Sequence, residues 1–291
     1  MTPYDTREME TLIDLHTHSL HSDGTLSPAE LVTRAAARNV RVLALTDHDT
    51  TAGLPEAREA CGAAGIGFVT GAEVTAGWRG QELHVVGLDV DPEAKALQDH
   101  LAGIVSLRRE RVSAIREKLQ RQRRFAELDP AREVLQSHAV PTRTHVARAI
   151  AQAGLADSVQ DAFDRYLGRG CQGYVPQEWP HLAGAVAAIR AAGGQAVLAH
   201  PHRYRLSAGA LRNLCAEFRE CGGVALETSL PALSPNDAAR LASLAREHAL
   251  AGSAGSDFHE PGQPWRPLGR FAKLAEGVEP LLPRLRVTGN K

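Results

Sequence analysis

Strand-like and helix-like segments alternate along most of this chain, and the alternation restricts the fold more than any other feature. Short aliphatic runs such as VRVLALTDHD and QAVLAHPH follow alanine-rich stretches such as SPAELVTRAAARN and HLAGAVAAIRAAGG. A repeated order of helix and then strand is typical of parallel β/α units, because two parallel strands need a crossover connection. We therefore predict an α/β protein built from such units.

The alternation is interrupted once. It runs through the strand-like segments TLIDLH, VRVLALTDHD, GFVTGAEVTA and LHVVGLDV, and it resumes in the last third of the chain. Residues 97–170 contain no convincing strand and are predicted to form consecutive helices. We interpret residues 1–96 and 171–291 as one domain, and residues 97–170 as an α-helical insertion that caps the substrate.

Composition argues against several classes of protein. The formal net charge of -1 disfavours a generally basic nucleic-acid or membrane-surface protein. No apolar run reaches the roughly 20 residues that span a bilayer, and no signal peptide is recognisable. The four cysteines, Cys61, Cys171, Cys215 and Cys221, form no CxxC pair, so we expect reduced thiols. These features predict a cytoplasmic protein with no obligate protein partner.

Side chains that bind metal ions recur at or just beyond the ends of the predicted strands. The carboxyl ends of the strands of an α/β barrel meet at one mouth, where loops build the active site. Alternation along a strand also places residues i and i+2 on the same side. His16 can therefore pair with His18, and Asp257 with His259, around one ion. The residues concerned are His16, His18, His48, Glu73, His84, His200, Asp257 and His259.

A mixture of imidazoles and carboxylates without cysteine suits zinc, manganese or iron(II) in a catalytic site. Glu73 could bridge two ions, and a hydroxide held between them would be a strong nucleophile near neutral pH. An isolated HTH pair could equally be a hydrogen-bonded histidine pair. Asp47 and Asp49 flank His48 and could orient ligand imidazoles, although solvated turn residues would give the same pattern.

The motifs HTHSLHSDG, LTDHDT, GAEVTA, LHVVGL, LAHPHRY and GSDFH resemble, in that order, those of the PHP family, the phosphoesterase domain named for polymerases and histidinol phosphatases. The resemblance extends from residue 12 to about residue 270. It implies a distorted, TIM-like barrel of seven β/α units with a trinuclear metal centre at its carboxyl-end mouth.

The resemblance also implies which side chains bind each metal ion. Some family members have a histidine where this chain has Asp23, so His21 is an alternative ligand. The three implied ligand sets are His16, His18, Glu73 and Asp257; Glu73, His84 and His200; and Asp23, His48 and His259.

The segments TRTHVARAI, AFDRYLGRG and AHPHRY resemble a subgroup of small phosphoesterases that act on nucleotides, although TRTH differs from the more usual TRPH. Members remove the 3′-phosphate from nucleoside 3′,5′-bisphosphates, and some degrade short RNA from the 5′ end. The resemblance implies up to three divalent ions, with Mn²⁺ first and Fe²⁺ or Zn²⁺ as alternatives. Histidinol phosphate, an amide substrate and a catalytically silent binding module remain alternative interpretations.

Four further side chains are candidates for contact with the substrate. Arg143 and His145 could bind phosphate, with Arg203 adding charge, although Arg143 could instead cap its helix or pair with a carboxylate. His202 could protonate the leaving alkoxide, or could hydrogen-bond to a metal ligand. The arginine-rich segment 108–124 could steer an anionic substrate, or could be an ordinary solvated helix face.

Overall fold

The computed structural model describes residues 13–125 and 127–289, and the predicted strand TLIDLH therefore begins outside the described residues. Seven strands form one sheet in the order β1-β2-β3-β4-β5-β6-β7. The strands are β1 (Ile13–Asp14), β2 (Val42–Leu45), β3 (Gly67–Trp78), β4 (Gln81–Leu88), β5 (Gln195–Leu198), β6 (Ala225–Ser229) and β7 (Ala251–Ala254). The predicted α/β class is confirmed.

Helices connect most of these strands, and their boundaries follow local sequence signals. The first helix begins with a capping box in which Ser27 Oγ accepts from Glu30 N and Ser27 N donates to the Glu30 carboxylate. The helices are α1 (Pro28–Ala37), α2 (Leu54–Ala64), α3 (Lys95–Gln120), α4 (Pro130–Ser137), α5 (Arg143–Gln152), α6 (Val159–Ala162), α7 (Leu182–Ala191), α8 (Ala208–Glu220) and α9 (Pro235–Glu247).

Strand β4 departs from the expected parallel arrangement. It pairs antiparallel with both β3 and β5, whereas the pairs β1–β2, β2–β3, β5–β6 and β6–β7 are parallel. The reason is local: only Arg79 and Gly80 separate β3 from β4, and both have positive φ, as in the tight turns of hairpins. This reversal places the start of β4, which carries His84, beside the carboxyl ends of its neighbours.

The chain after β1 lies beside the chain after β7. Leu15 N donates to Ala254 O at 3.0 Å, and Asp257 N donates to His16 O at 2.9 Å. Backbone hydrogen bonds therefore join the segment after β1 to the end of β7 and the segment that follows it, which brings the candidate ligand motifs of these segments together.

One buried cluster contains a side chain from every strand, so all seven strands contribute to a common apolar core. The seven representatives are Ile13, Val42, Val69, Val86, Val197, Ala225 and Ala251. A second cluster packs α7, α8 and α9 against other faces of β3 to β6.

The described part of residues 97–170, which omits residue 126, contains helices and turns but no strand. Its helices share a buried cluster of their own, to which Val112, Ile115 and Leu119 of α3 contribute. The first half of α3 instead packs on the cluster beside the sheet, through Leu97 and Leu101. Within the described residues, no helix has the length and apolarity needed to cross a membrane.

Candidate metal centre

Eight of the nine predicted ligands form three overlapping groups, in which the candidate ligand atoms lie within 4.8 Å of one another. The groups are His16, His18, Glu73 and Asp257; His18, Asp23, His48 and His259; and His48, Glu73 and His84. The ninth, His200, lies beside the third group, with Nε2 2.9 Å from Glu73 Oε1 and 3.3 Å from His84 Nδ1. Among the described residues, His21 joins none of the groups.

Glu73 lies at the centre of this arrangement because β3 is longer than its neighbours. The sequence predicts that Glu73 is near the end of its strand, but β3 continues to Trp78 and pairs there with β4. Strand β2 ends at Leu45, so the following loop crosses β3 at Glu73, where His48 forms a β-bridge to it. The side chain of Glu73 is fully buried and belongs to two of the three groups.

The first group has the spacing expected of ligands around one ion. His16 Nε2 and His18 Nε2 are 3.1 Å apart, and each lies 3.2 Å from Glu73 Oε2. Asp257 Oδ1 lies 3.2 Å from His18 Nε2 and 3.5 Å from His16 Nε2. Four ligand atoms in a tetrahedron about 2.1 Å from a metal ion would be about 3.4 Å apart. The donor set and its spacing therefore fit a divalent cation.

Several buried polar atoms in these groups lack a hydrogen-bond partner. They are Asp23 Oδ1, His48 Nδ1 and Glu73 Oε2. An unsatisfied buried polar atom costs about 1–3 kcal/mol, and more when the group is charged. A bound cation would satisfy these atoms, so the orphaned atoms are a second observation that fits a metal centre.

The charges of the cluster reinforce one another. Burial alone would lower the pKa of His16, but Glu227, Glu73 and Asp257 raise this pKa well above its usual value. Burial also opposes ionisation of His18, yet the neighbouring carboxylates of Asp257 and Glu73 raise its pKa to about 9. The buried acids therefore favour positive charge in their midst, as a cation site requires.

Glu227 contacts two of the candidate ligands, and the sequence motifs did not single it out. It is 1% exposed, and its Oε1 lies 2.8 Å from His16 Nδ1 while its Oε2 accepts from His200 N at 2.6 Å. Carboxylates that bind the second nitrogen of a ligand imidazole commonly fix its tautomer and orientation. The available signal was a lone carboxylate inside the buried strand β6, where an unpaired acid would be costly.

Asp47 and Asp49 do not have the role predicted for them. Asp47 accepts from Ser19 N at 2.7 Å and from Ser22 Oγ at 2.7 Å, and therefore holds the loop that carries His18. Asp49 accepts from Arg108 Nε at 2.6 Å. Both carboxylates are buried and occupied by these contacts, so they are neither orienting groups for imidazoles nor solvated turn residues.

Part of the arginine-rich segment 108–124 faces inward. Arg108 and Arg111 are buried, and Arg111 Nη1 donates to Glu82 Oε2 at 2.9 Å. Arg143 Nη2 lies 3.8 Å from the other oxygen of Glu82, and the Arg143 side chain is about one-third exposed. The interpretation of this segment as only a solvated face is therefore wrong, because two of its arginines pack toward the metal-binding groups.

His145 is buried at the start of α5. Its Nδ1 accepts from Thr142 N at 3.1 Å, and its ring stacks on His138 with centroids 3.7 Å apart. Burial is the main reason why the pKa of His145 falls to about 4. The imidazole is therefore neutral at pH 7 and helps to begin the helix, while Thr142 Oγ1 lies 3.4 Å from Asp23 Oδ2.

Two arginines converge on Asp257. Arg203 donates to Asp257 Oδ2, and Arg266 Nη1 lies 3.1 Å from the same oxygen. The sequence singled out Arg203 but not Arg266, which lies in an irregular segment without a motif. His202 is half-buried, and its Nδ1 has no hydrogen-bond partner within the described residues.

Residues 14–169 match the PHP domain. The chain belongs to the PHP family. Membership of this family, which the sequence motifs predict, is thus confirmed. The candidate ligand groups combine motifs inside the matched segment with the motif at Asp257 and His259, which follows it. Residues after 169, including His200, Glu227 and Asp257, therefore lie in the candidate centre beside residues of the matched segment.

Two relatives align with most of the length of this PHP protein. It is 43% identical over 270 residues to the 5′-3′ exoribonuclease Rnm of Escherichia coli, covering 92% of each chain. It is 39% identical over 269 residues to a 3′,5′-nucleoside bisphosphate phosphatase of Chromobacterium violaceum, covering 92% of this chain and 94% of the relative.

Solved structures agree with this relationship. An amidohydrolase from Chromobacterium violaceum is 37% identical, with a TM-score of 0.87, and the match covers 94% of this chain and 95% of that one. A metal-dependent phosphoesterase from Bifidobacterium adolescentis is 30% identical, with a TM-score of 0.77 and 92% coverage of both chains.

Proposed function

We propose that this PHP protein is a metal-dependent phosphatase that removes the 3′-phosphate of nucleoside 3′,5′-bisphosphates. The products would be the nucleoside 5′-monophosphate and inorganic phosphate. The observation that carries the proposal is the convergence of buried imidazoles and carboxylates from six separate segments, with arginines beside them. The name of the Chromobacterium violaceum relative supports the choice of substrate.

The proposed architecture is a distorted (β/α)7 barrel with an α-helical insertion. Residues 1–96 and 171–291 would form the barrel, and residues 97–170 would cap the substrate. Support comes from the apolar cluster with a side chain from every strand and from the hydrogen bonds that join the chain after β1 to the chain after β7. The separate apolar cluster of the insertion supports its description as a subdomain.

The nine predicted ligands would hold up to three divalent ions. Mn²⁺ is the first choice, with Fe²⁺ and Zn²⁺ as alternatives, because all three accept imidazole with carboxylate. Such ions, when bound, make water a nucleophile near neutral pH and neutralise phosphoryl oxygens. The ligands would be His16, His18, Asp23, His48, Glu73, His84, His200, Asp257 and His259.

Arg143 and His145 would bind a phosphate group of the substrate. Within the described residues, the Arg143 guanidinium makes no hydrogen bond, which leaves its planar fork available for phosphate oxygens. Because Nδ1 of His145 accepts from Thr142 N, its proton lies on Nε2. This proton would be shared between the backbone of Ser22, to which the imidazole hydrogen-bonds, and the phosphate. His145 would thus contribute a hydrogen bond and not a charge.

Arg203 and His202 would act at the opposite side of the centre. Arg203 pairs with Asp257, so it would hold this carboxylate in place and add positive charge near the scissile phosphate. His202 would protonate the leaving 3′-oxygen as a general acid. Burial, followed by the charge of Arg203, lowers the pKa of His202, which makes its protonated form a stronger acid.

Phosphate release from adenosine 3′,5′-bisphosphate with added Mn²⁺ tests the proposed function. Histidinol phosphate serves as the competing substrate, and single alanine variants of His16, His48 and Asp257 serve as controls for the site. We expect rapid release from the bisphosphate and at least a thousandfold loss in each variant, in line with the loss of a metal ion. Much faster turnover of histidinol phosphate, or full activity in the variants, would overturn the proposal.

A second candidate function is a 5′-3′ exoribonuclease acting on short RNA. Relatives from Escherichia coli and Haemophilus influenzae carry this name, at 43% and 40% identity. Incubation with RNA labelled at its 3′ end distinguishes the two functions. Progressive shortening from the 5′ end at a rate matching bisphosphate turnover would favour the nuclease, whereas intact RNA would favour the phosphatase. A cytoplasmic location remains a prediction.

A further inference from the structure

Glu82 lies between the proposed metal ligands and the arginines of the insertion. It is on β4, two residues before His84, and its side chain is about one-quarter exposed. Its Oε2 accepts from Arg111 Nη1 at 2.9 Å, and its Oε1 lies 3.8 Å from Arg143 Nη2 and 4.0 Å from His84 Nε2. A carboxylate therefore lies next to Arg143, the arginine of the insertion that is proposed to bind phosphate.

We propose that Glu82 weakens phosphate binding at Arg143 and thereby speeds the release of the nucleoside 5′-monophosphate. This inference rests on the proposed function and adds a residue that limits product affinity. The 5′-phosphate is present in both substrate and product. Any group that weakens its binding at Arg143 therefore prevents the product from remaining bound after the 3′-phosphate has gone.

The direction of the effect follows from the contacts of the two arginines. Arg143 lies on the ring of Phe163, with its guanidinium carbon 5.8 Å from the ring centroid. Arg111 Nε donates to Val175 O at 3.1 Å. Both guanidiniums therefore keep a contact when Glu82 loses its charge. The main consequence of neutralising Glu82 is the removal of a negative charge that competes with phosphate and repels it.

The substrate differs from the product in one respect that matters here. The bisphosphate carries a second phosphate, which would contact the metal centre, whereas the phosphate of the 5′-monophosphate would be held by Arg143 and His145 alone. Weak binding at Arg143 raises KM for the substrate, but it shortens the lifetime of the product complex by the same factor. Product release limits turnover in many enzymes, so the shorter lifetime of the product complex raises kcat at the expense of a higher KM.

Binding of adenosine 5′-monophosphate to the chelator-treated, full-length protein tests the inference without any catalysis. Isothermal titration calorimetry would compare the wild type with Glu82→Gln, using adenosine as the ligand that lacks phosphate. We expect the variant to bind the monophosphate about tenfold more tightly and adenosine with unchanged affinity. Equal or weaker binding of the monophosphate by Glu82→Gln, or no binding by any variant, would overturn the inference.

Three further variants control the comparison. Glu117→Gln removes the same charge from an exposed position of α3 and should leave the affinity unchanged. Glu82→Asp keeps the charge and should bind the monophosphate with the affinity of the wild type. It therefore separates the effect of the lost charge from any effect of changing the side chain at this position. Combining Glu82→Gln with Arg143→Gln should abolish the gain in affinity for the monophosphate. A gain that persists in the double variant would contradict the role of Arg143.

Product inhibition gives a second measurement in the presence of Mn²⁺. In Glu82→Gln, the inhibition constant for adenosine 5′-monophosphate and KM should both fall about tenfold, while kcat falls or stays the same. Failure of the two proposals can be told apart. If the bisphosphate is hydrolysed but Glu82→Gln behaves like the wild type, only this inference fails. If the monophosphate binding changes as expected but no bisphosphate is hydrolysed, only the proposed function fails.

Discussion

His16 Nδ1 lies 2.8 Å from Glu227 Oε1, although the two residues are 211 positions apart in the sequence. This contact places the Nδ1 proton between imidazole and carboxylate and turns Nε2 toward Glu73 and Asp257. The other oxygen of Glu227 accepts from the backbone of His200. One buried acid thus orients a proposed ligand on the first strand segment and anchors the loop that carries another.

Replacing Glu227 with glutamine should reduce the affinity for divalent metal ions by about 10–100-fold, since partners of ligand imidazoles have effects of this size. The loss arises because the amide removes the charge that fixes the His16 tautomer. Competition of Mn²⁺ with a fluorescent chelator would measure the affinity. Glu220→Gln, at an exposed position of α8, is the matched control. Equal affinities for the two variants would refute the orienting role.

Metal binding should release protons at pH 7.5. The pKa of His18 is raised to about 9, and that of His16 is raised well above its usual value, so this pair of imidazoles holds positive charge in the metal-free protein. A cation must displace these protons, so apparent affinity should rise with pH up to about 9. Calorimetry in two buffers of different ionisation enthalpy counts the protons. We expect at least one proton to be released per chain, and a titration that releases no proton would contradict the raised pKa of this pair.

Gly255 permits the close approach of the chain after β7 to His16. A Cβ atom at this position would lie 2.4 Å from His16 Cβ and 2.9 Å from His16 N. Gly255→Ala should therefore lower the free energy of unfolding by about 1–3 kcal/mol. Gly62→Ala, in α2 with nothing within 4 Å, should instead raise it by about 0.4–1 kcal/mol. Urea unfolding of the metal-free proteins measures both free energies. Equal values for Gly255→Ala and Gly62→Ala would contradict the close packing of Gly255 against His16.

The four cysteines should divide into two classes. Cys61 and Cys215 are buried, and burial raises the pKa of each thiol to about 12, whereas Cys171 and Cys221 are partly exposed. The thiols of Cys61 and Cys215 therefore stay protonated in the folded protein. Their contribution to the free energy of unfolding is fully present below the unfolded pKa of about 8.5 and is lost as pH rises toward 12. Mass spectrometry after brief alkylation should find two modified thiols in the native protein and four after denaturation. Rapid modification of Cys61 would contradict its burial.

The strands and the proposed ligands could be predicted because their signals are local. Each motif follows or lies on an aliphatic run that is readable from its own residues, and the structure brings these motifs to one place. The direction of β4 was also encoded locally, in the turn at Arg79 and Gly80, but the repeated order of helix and strand elsewhere favoured a parallel arrangement.

Other features depend on contacts between distant segments. Glu227 has no motif around it, and its role exists only because β6 lies beside β7 and the segment after β1 is close to both. Arg108 and Arg111 belong to a helix with charged residues on several sides, so composition does not tell which of its arginines are buried. The contacts of Asp47 with Ser19 and Ser22 likewise appear only when two loops meet.

The metal content of the protein tests the central claim most directly. The protein would be purified without chelator, supplied with Mn²⁺, freed of unbound ions and measured by mass spectrometry of the elements against protein concentration. We expect two to three divalent ions per chain in the wild type, as the three overlapping ligand groups imply, and fewer in a variant without Asp257. One ion or none per chain in the wild type would contradict a multinuclear centre.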